Sequence, residues 1–106
     1  MAGAVGLFRA LGDPVRLEMV QRLSRQDFWT MNALSDGLGL TRQGARRHIQ
    51  VLVDAHLVQL EPRGREVFAS LDAQGIAEAK AFIAGIERQW DRRLDALRRF
   101  LEDPEE

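Results

Sequence analysis

TMNALSDGLGLTRQGARRHIQVLVDAHL, residues 30–57, decides the fold. It reads as two helices joined by a tight turn. Thr30 caps the first of them, along which Leu34 and Leu38 face inward, and Gly39 stands where a left-handed residue ends it. Gly39 and Leu40 make the turn, and Thr41 caps the second helix, read over 41–55. On that helix Ala45, His48, Ile49 and Leu52 share one face by the i, i+3, i+4, i+7 rule. Gln43, Arg47, Gln50 and Asp54 share the opposite face, with Arg46 on its flank. One side is made for a core and the other, polar and partly basic, for a partner. Gly44 inside the helix costs ~1 kcal/mol relative to Ala. Close approach of the preceding helix or of a phosphate would offset that cost.

Downstream, residues 57–61 (LVQLE) and 65–71 (REVFASL) alternate or are β-branched, and Pro62, Arg63 and Gly64 separate them. This predicts a β-hairpin, a wing over 61–66. Asp72 caps a last helix that runs to about Leu101, before Asp103 and Pro104 stop it. Phe82, Ile86, Trp90, Leu94, Leu97 and Leu101 form one long stripe, widened by Ile83. Such a helix is on the order of 40 Å long. A body of this size cannot cover all of it, so the uncovered stripe calls for a second copy of the chain. The tail EDPEE is expected to fray.

Upstream, Val5, Phe8 and Leu11 recur at spacings of three, which suits a short first helix ended by Gly12. Asp13 followed by Pro14 is a strong start signal for a second helix over 14–25. Val15, Met19, Val20 and Leu23 are its buried stripe, and Phe28 and Trp29 are expected to anchor the following loop in the core.

Composition narrows the function. The chain of 106 residues suits one domain, with 4–71 as the body and 72–102 as the dimerisation helix. It has no cysteine and two histidines, which excludes disulfides, thiolate metal sites and a His-rich metal cage. No apolar run is long enough to span a bilayer and no signal peptide is recognised, so a cytoplasmic protein is expected. The net charge of −1 is unevenly spread. Residues 1–71 hold nine Arg against seven acidic residues, whereas residues 72–106 hold six basic against nine acidic. The basic excess lies with the helix pair and wing. No glycine-rich phosphate loop and no nucleophile with a His and acid partner is present, so no enzyme and no cofactor are expected.

The candidate contacts follow from this layout. Thr41, Arg42, Gln43, Arg46, Arg47 and Gln50 on the second helix of the pair, with Arg63 and Arg65 at the wing, are the expected DNA contacts. Arg pairs bidentately with guanine and Gln with adenine in the major groove, and Thr41 can bond a phosphate while capping. The bland reading is a solvated face in which Arg47 pairs with Asp54 or Gln50. Arg16 suits either a phosphate or an internal partner. His48 reads as a hydrogen-bonded packing residue. Glu87, Asp91 and Asp95 are interleaved with arginines, so they read as a salt-bridged surface rather than a metal site. Val5, Phe8, Phe82, Ile86, Trp90, Leu94, Leu97 and Leu101 are the expected dimer contacts. A pocket lined by Phe28, Trp29 and Trp90 is a lesser reading.

LFRALGDPVRLEMVQRL (7–23) is similar to the opening helix pair of the ArsR/SmtB family of bacterial winged-helix repressors. TRQGARRHIQVLVDAHLV (41–58) resembles that family's recognition segment, RGREVFASLD (63–72) its wing, and QWDRRLDALRRFLE (89–102) the last helix of members without metal sites. The resemblance implies a mainly α fold with a small β-hairpin, a winged helix-turn-helix with a long C-terminal dimerisation helix. It implies a homodimeric repressor of double-stranded operator DNA. His56 stands where the family usually has glycine, at a position that needs a left-handed backbone. The family's metal sensors use cysteine pairs on the third helix, or Asp and His on the last. Here the third helix reads MNALSDGL (31–38) and the last has no histidine, so metal sensing does not carry over. A small-molecule effector has room in this scheme, but no polar cluster identifies one. The alternative is a winged-helix protein–protein module, which would show a neutral, apolar face on the second helix and wing.

Overall fold

The computed structural model describes residues 3–102. The elements run α1 (Gly3–Leu11), α2 (Pro14–Arg25), β1 (Trp29–Thr30), α3 (Met31–Ser35), α4 (Arg42–Asp54), β2 (Val58–Arg63), β3 (Glu66–Leu71) and α5 (Ala73–Glu102). The expected stop at Asp103 and Pro104 and the EDPEE tail fall partly or wholly outside the described residues.

Each helix start has a local cause. Asp13 accepts hydrogen bonds from the backbone N–H groups of Val15 (2.9 Å) and Arg16 (3.1 Å), with Pro14 opening α2 behind it. The Thr30 hydroxyl accepts from Ala33 N–H, and the Thr41 hydroxyl from Gly44 N–H at 2.9 Å. A Cβ on Gly44 would lie 3.1 Å from that Thr41 oxygen, so the glycine makes room for the cap rather than for α3. Asp72 caps α5 through Gln74 N–H.

The end of α4 is a Schellman motif. Leu57 N–H reaches Leu52 C=O and His56 N–H reaches Val53 C=O, both at 3.0 Å. His56 occupies the left-handed position, at φ 61°, that the family resemblance implies there. The start of α5 is then docked on this corner. Gly75 N–H donates to His56 C=O at 2.7 Å, and Asp72 N–H to Leu57 C=O at 2.9 Å.

Leu7 and Ala10 of α1, Met19 and Leu23 of α2, Leu34 of α3, and Ile49 and Leu52 of α4 meet Leu57, Val58 and Ala69 in one core. Five details differ from the sequence reading. On α1 the inward residues are Leu7 and Ala10, while Val5 points outward. α3 stops at Ser35, so the connection to α4 is longer than a two-residue turn and uses two left-handed glycines, Gly37 and Gly39. Phe28 is exposed rather than anchored. Trp29 and Thr30 form a third strand, giving the antiparallel order β1-β3-β2. Finally, Pro62 and Arg63 lie inside β2, opposite Val67 and Glu66, and the tip is Gly64–Arg65. Proline is tolerated there because β2 is an edge strand.

Candidate nucleic-acid interface

α4 is held on three sides, which fixes where its outer face points. Beneath it, Ala45, Ile49 and Leu52 enter the core. On one flank, Arg16 of α2 donates through Nε to Ala10 C=O (2.7 Å) and through Nη1 to His48 Nδ1 (3.2 Å). A guanidinium only donates, so Nδ1 is the acceptor in this contact, and the same Nδ1 lies 3.9 Å from the Asp13 carboxylate. The choice left open for Arg16 is thereby settled as internal, and His48 is the packing residue expected. Ahead of α4, Arg22 donates through Nη1 to Leu34 C=O (3.0 Å) and Asp36 C=O (2.8 Å) while pairing with Glu18 at 3.2 Å. It ties down the exposed carbonyls at the end of α3 and so the connection into α4. Nothing in the local sequence marks Arg22 for this, because its partners lie more than ten residues away.

The outer face carries Thr41, Arg42, Gln43, Arg46, Arg47 and Gln50, all exposed. Arg42, Arg46, Arg47 and Arg65 have no ion-pair partner among the described residues. Arg47 therefore does not pair with Asp54. Gln50 does: its Nε2 donates to Asp54 Oδ1 at 2.8 Å. A Gln so engaged must give up that bond before it can reach a base. At the wing, Arg63 sits 3.6 Å from Glu61, which leaves Arg65 at the tip as the unpaired wing cation.

Two open crevices meet on this face. One runs between α3 and α4 past Asn32, Ser35, Arg42 and Arg46. The other is framed by Thr30, Asn32, Arg46, Arg65 and Glu66, between α3, α4 and β3. Arg46 and Asn32 line both, so the helix and wing cations border one continuous surface. Asn32 was not singled out by the sequence, because its place beside Arg46 and Arg65 exists only once β1 positions α3 against β3.

The expected dimer residues stand elsewhere. Val5, Phe82, Ile86, Trp90, Leu94, Leu97 and Leu101 are all exposed, and Phe8 packs on Phe82 within the chain at a ring-centroid distance of 5.5 Å. Phe28, Trp29 and Trp90 do not converge. Phe28 borders a small apolar crevice with Glu61, Arg63 and Phe68, and Trp90 lies far out on α5. Of the salt bridges expected along α5, Asp95–Arg98 forms, at 3.5 Å. No group of residues with metal-binding character occurs among the described residues, and no described helix is long and apolar enough to cross a membrane.

A helix-turn-helix domain family model matches residues 11–61. No curated protein sequence matches the chain. Among solved structures, an ArsR-like transcriptional regulator from Rhodococcus sp. RHA1 is 28% identical, with a TM-score of 0.74, over 91% of this chain and 90% of its own. A possible transcriptional regulator for arsenical resistance is 29% identical, with a TM-score of 0.69, over 85% of this chain and 93% of its own. Reduced HlyU from Vibrio cholerae N16961 is 26% identical, with a TM-score of 0.62, over 82% of this chain and 87% of its own.

Proposed function

Since the chain is a DNA-binding transcriptional regulator of the ArsR/SmtB winged helix-turn-helix type, we propose that it is a homodimeric repressor of an inverted-repeat operator. The observation that carries this is the set of guanidinium groups, Arg42, Arg46, Arg47 and Arg65, none of which forms an ion pair with an acidic side chain among the described residues. Guanidinium groups left without partners suit phosphates and guanine edges. The protein–protein alternative calls for an apolar face, yet no large apolar side chain is exposed on α4, β2 or β3.

In this reading α4 enters the major groove and the wing follows the adjacent backbone. Gln43, Arg46 and Arg47 read bases. Thr41, Arg42, Arg63 and Arg65 contact phosphates and supply a steep salt dependence. Gln50 contributes where its bond to Asp54 yields. Two copies of α4 reach successive major grooves about 34 Å apart, and repression follows from occluding the promoter. α1 and α5 hold the two copies together through Val5, Phe8, Phe82, Ile86, Trp90, Leu94, Leu97 and Leu101.

Selection from a random duplex library at near-physiological salt tests the proposal. An enriched inverted repeat with half-sites one helical turn apart is the expected result, lost in the Arg46→Ala, Arg47→Ala double variant. Specific binding by that variant would overturn the assignment of the reading residues.

A further inference from the structure

The connection from α3 to α4 is loosely held by its own backbone. α3 has five residues. Beyond it, Asp36 N–H donates to Ala33 C=O and Leu38 N–H to Ser35 C=O, both at 3.3 Å, past the usual length of such bonds. Gly37 and Gly39 both take left-handed backbone, at φ 77° and 70°, with open space around each. A glycine so placed turns readily. Leu38 and Leu40 pack against the core and fix the depth of the segment. They do not by themselves fix the angle at which α4 leaves it.

The short polar bonds to this segment come from α2. Arg22 Nη1 donates to Asp36 C=O at 2.8 Å and to Leu34 C=O at 3.0 Å, with Ala33 C=O at 3.4 Å. Its Nε donates to Glu18 Oε2 at 3.2 Å, and the Arg22 side chain is only 18% exposed. A planar guanidinium held at one edge presents its other edge in a fixed direction, so Glu18 aims Arg22 at the end of α3. Arg25 also pairs with Glu18, at 3.3 Å. Arg22 borders neither crevice of the outer face, whereas Asp36, Gly37 and Gly39 border the first, together with Arg42 and Arg46.

We propose that Arg22 is a specificity-determining residue that never touches DNA. By holding the Leu34 and Asp36 carbonyls it sets the angle of α4 to α3, and so where Arg46 and Arg47 meet base edges. This rests on the DNA-reading proposal above. A binding constellation must be held within about 0.5 Å of its productive geometry, and base contacts are the part that suffers first when it is not. Attraction to phosphates falls off slowly with distance and survives a small displacement. Loosening the clasp therefore costs discrimination between sequences and spares non-specific binding. The charge of Arg22 is already offset by Glu18, so its removal changes the field at the outer face little.

The test compares the full natural chain with two variants. Arg22→Met keeps an apolar stem and loses every donor. Arg22→Lys keeps an ammonium that can still donate to carbonyls. Each is titrated, at several salt concentrations, against the operator enriched by the natural chain and against a random duplex of equal length, with the urea midpoint recorded to establish folding. For Arg22→Met the expected loss of operator affinity is on the order of tenfold, the share of about one base pair. Its affinity for the random duplex should stay within about twofold and its salt slope should not change. Arg22→Lys should keep more operator affinity than Arg22→Met. Equal losses on both duplexes, or no loss on the operator, would overturn the inference and leave the DNA-reading proposal standing. A salt slope lowered by about 0.9 would make Arg22 a phosphate contact and overturn it as well. Should Arg22→Met not fold, Glu18→Gln weakens the hold on Nε instead, and an operator preference equal to that of the natural chain would then overturn the inference. A natural chain that enriches no operator would overturn both proposals.

Discussion

Gly75 is the position where two physical arguments predict opposite signs. It lies in the first turn of α5, and on helix propensity alone Gly75→Ala should stabilise by up to ~1 kcal/mol. The structure gives the other answer. A Cβ there would stand 2.2 Å from the carbonyl oxygen of His56 and 2.7 Å from its carbon, both backbone atoms that cannot swing aside. Relief requires α5 to back away from the corner at His56, which stretches the 2.7 Å bond from Gly75 N–H to His56 C=O. Overpacking of this kind costs about 1–3 kcal/mol, and losing the bond adds about 1 kcal/mol. Against the propensity gain, the net expectation is a loss of about 2 kcal/mol. With a urea dependence of roughly 2 kcal/mol per molar, the unfolding midpoint should fall by about 1 M. Both proteins must be compared at equal concentration, because a self-associating chain gains stability with concentration. An unchanged or raised midpoint would refute the claim that the direction of α5 is fixed by backbone contact at His56.

Two further outcomes follow from the same geometry. Arg65→Ala should lower the slope of log affinity for operator DNA against log salt by about 0.9, the share of one phosphate contact, whereas Arg63→Ala should change it less because Arg63 already sits beside Glu61; titrations at several salt concentrations separate the two. The Asp13 carboxyl is held below the ordinary carboxylate range, chiefly by the hydrogen bond from Arg16 N–H and then by the Arg16 charge. Its cap on α2 is therefore at full strength above the unfolded value of about 3.9 and is lost as pH falls through the lower folded value, so the stability gap between the natural chain and Asp13→Asn should hold at pH 6 and close in acid denaturation below about pH 4.

What the sequence made legible was local. Asp13–Pro14, Thr30, Thr41 and Asp72 are cap signals complete within four residues, and each marks a true helix start. His56 was legible as a left-handed position only through the family resemblance, which puts glycine there. What escaped depends on partners far along the chain. Trp29 and Thr30 carry no alternation of their own and become a strand by pairing with Ala69 and Phe68. Pro62 looked like a turn residue, and it stays in β2 only because that strand lies at the edge of the sheet. Arg22 and Asn32 acquire their places from α3, whose position is a tertiary outcome. The engagement of Gln50 by Asp54 is different, since a spacing of four on one helix was available to the eye.

Arg16 joins the last carbonyls of α1 to His48 of α4, and the Schellman corner at the end of α4 receives the start of α5. The proposed reading helix is thus tied at one flank to α1 and at its end to α5, the two elements proposed to meet the partner. A helix anchored in this way has little freedom to adjust its own angle to the groove, because its core contacts and its polar contacts must move together. In the proposed dimer, the separation of the two reading helices then follows from the contacts that α1 and α5 make with the partner.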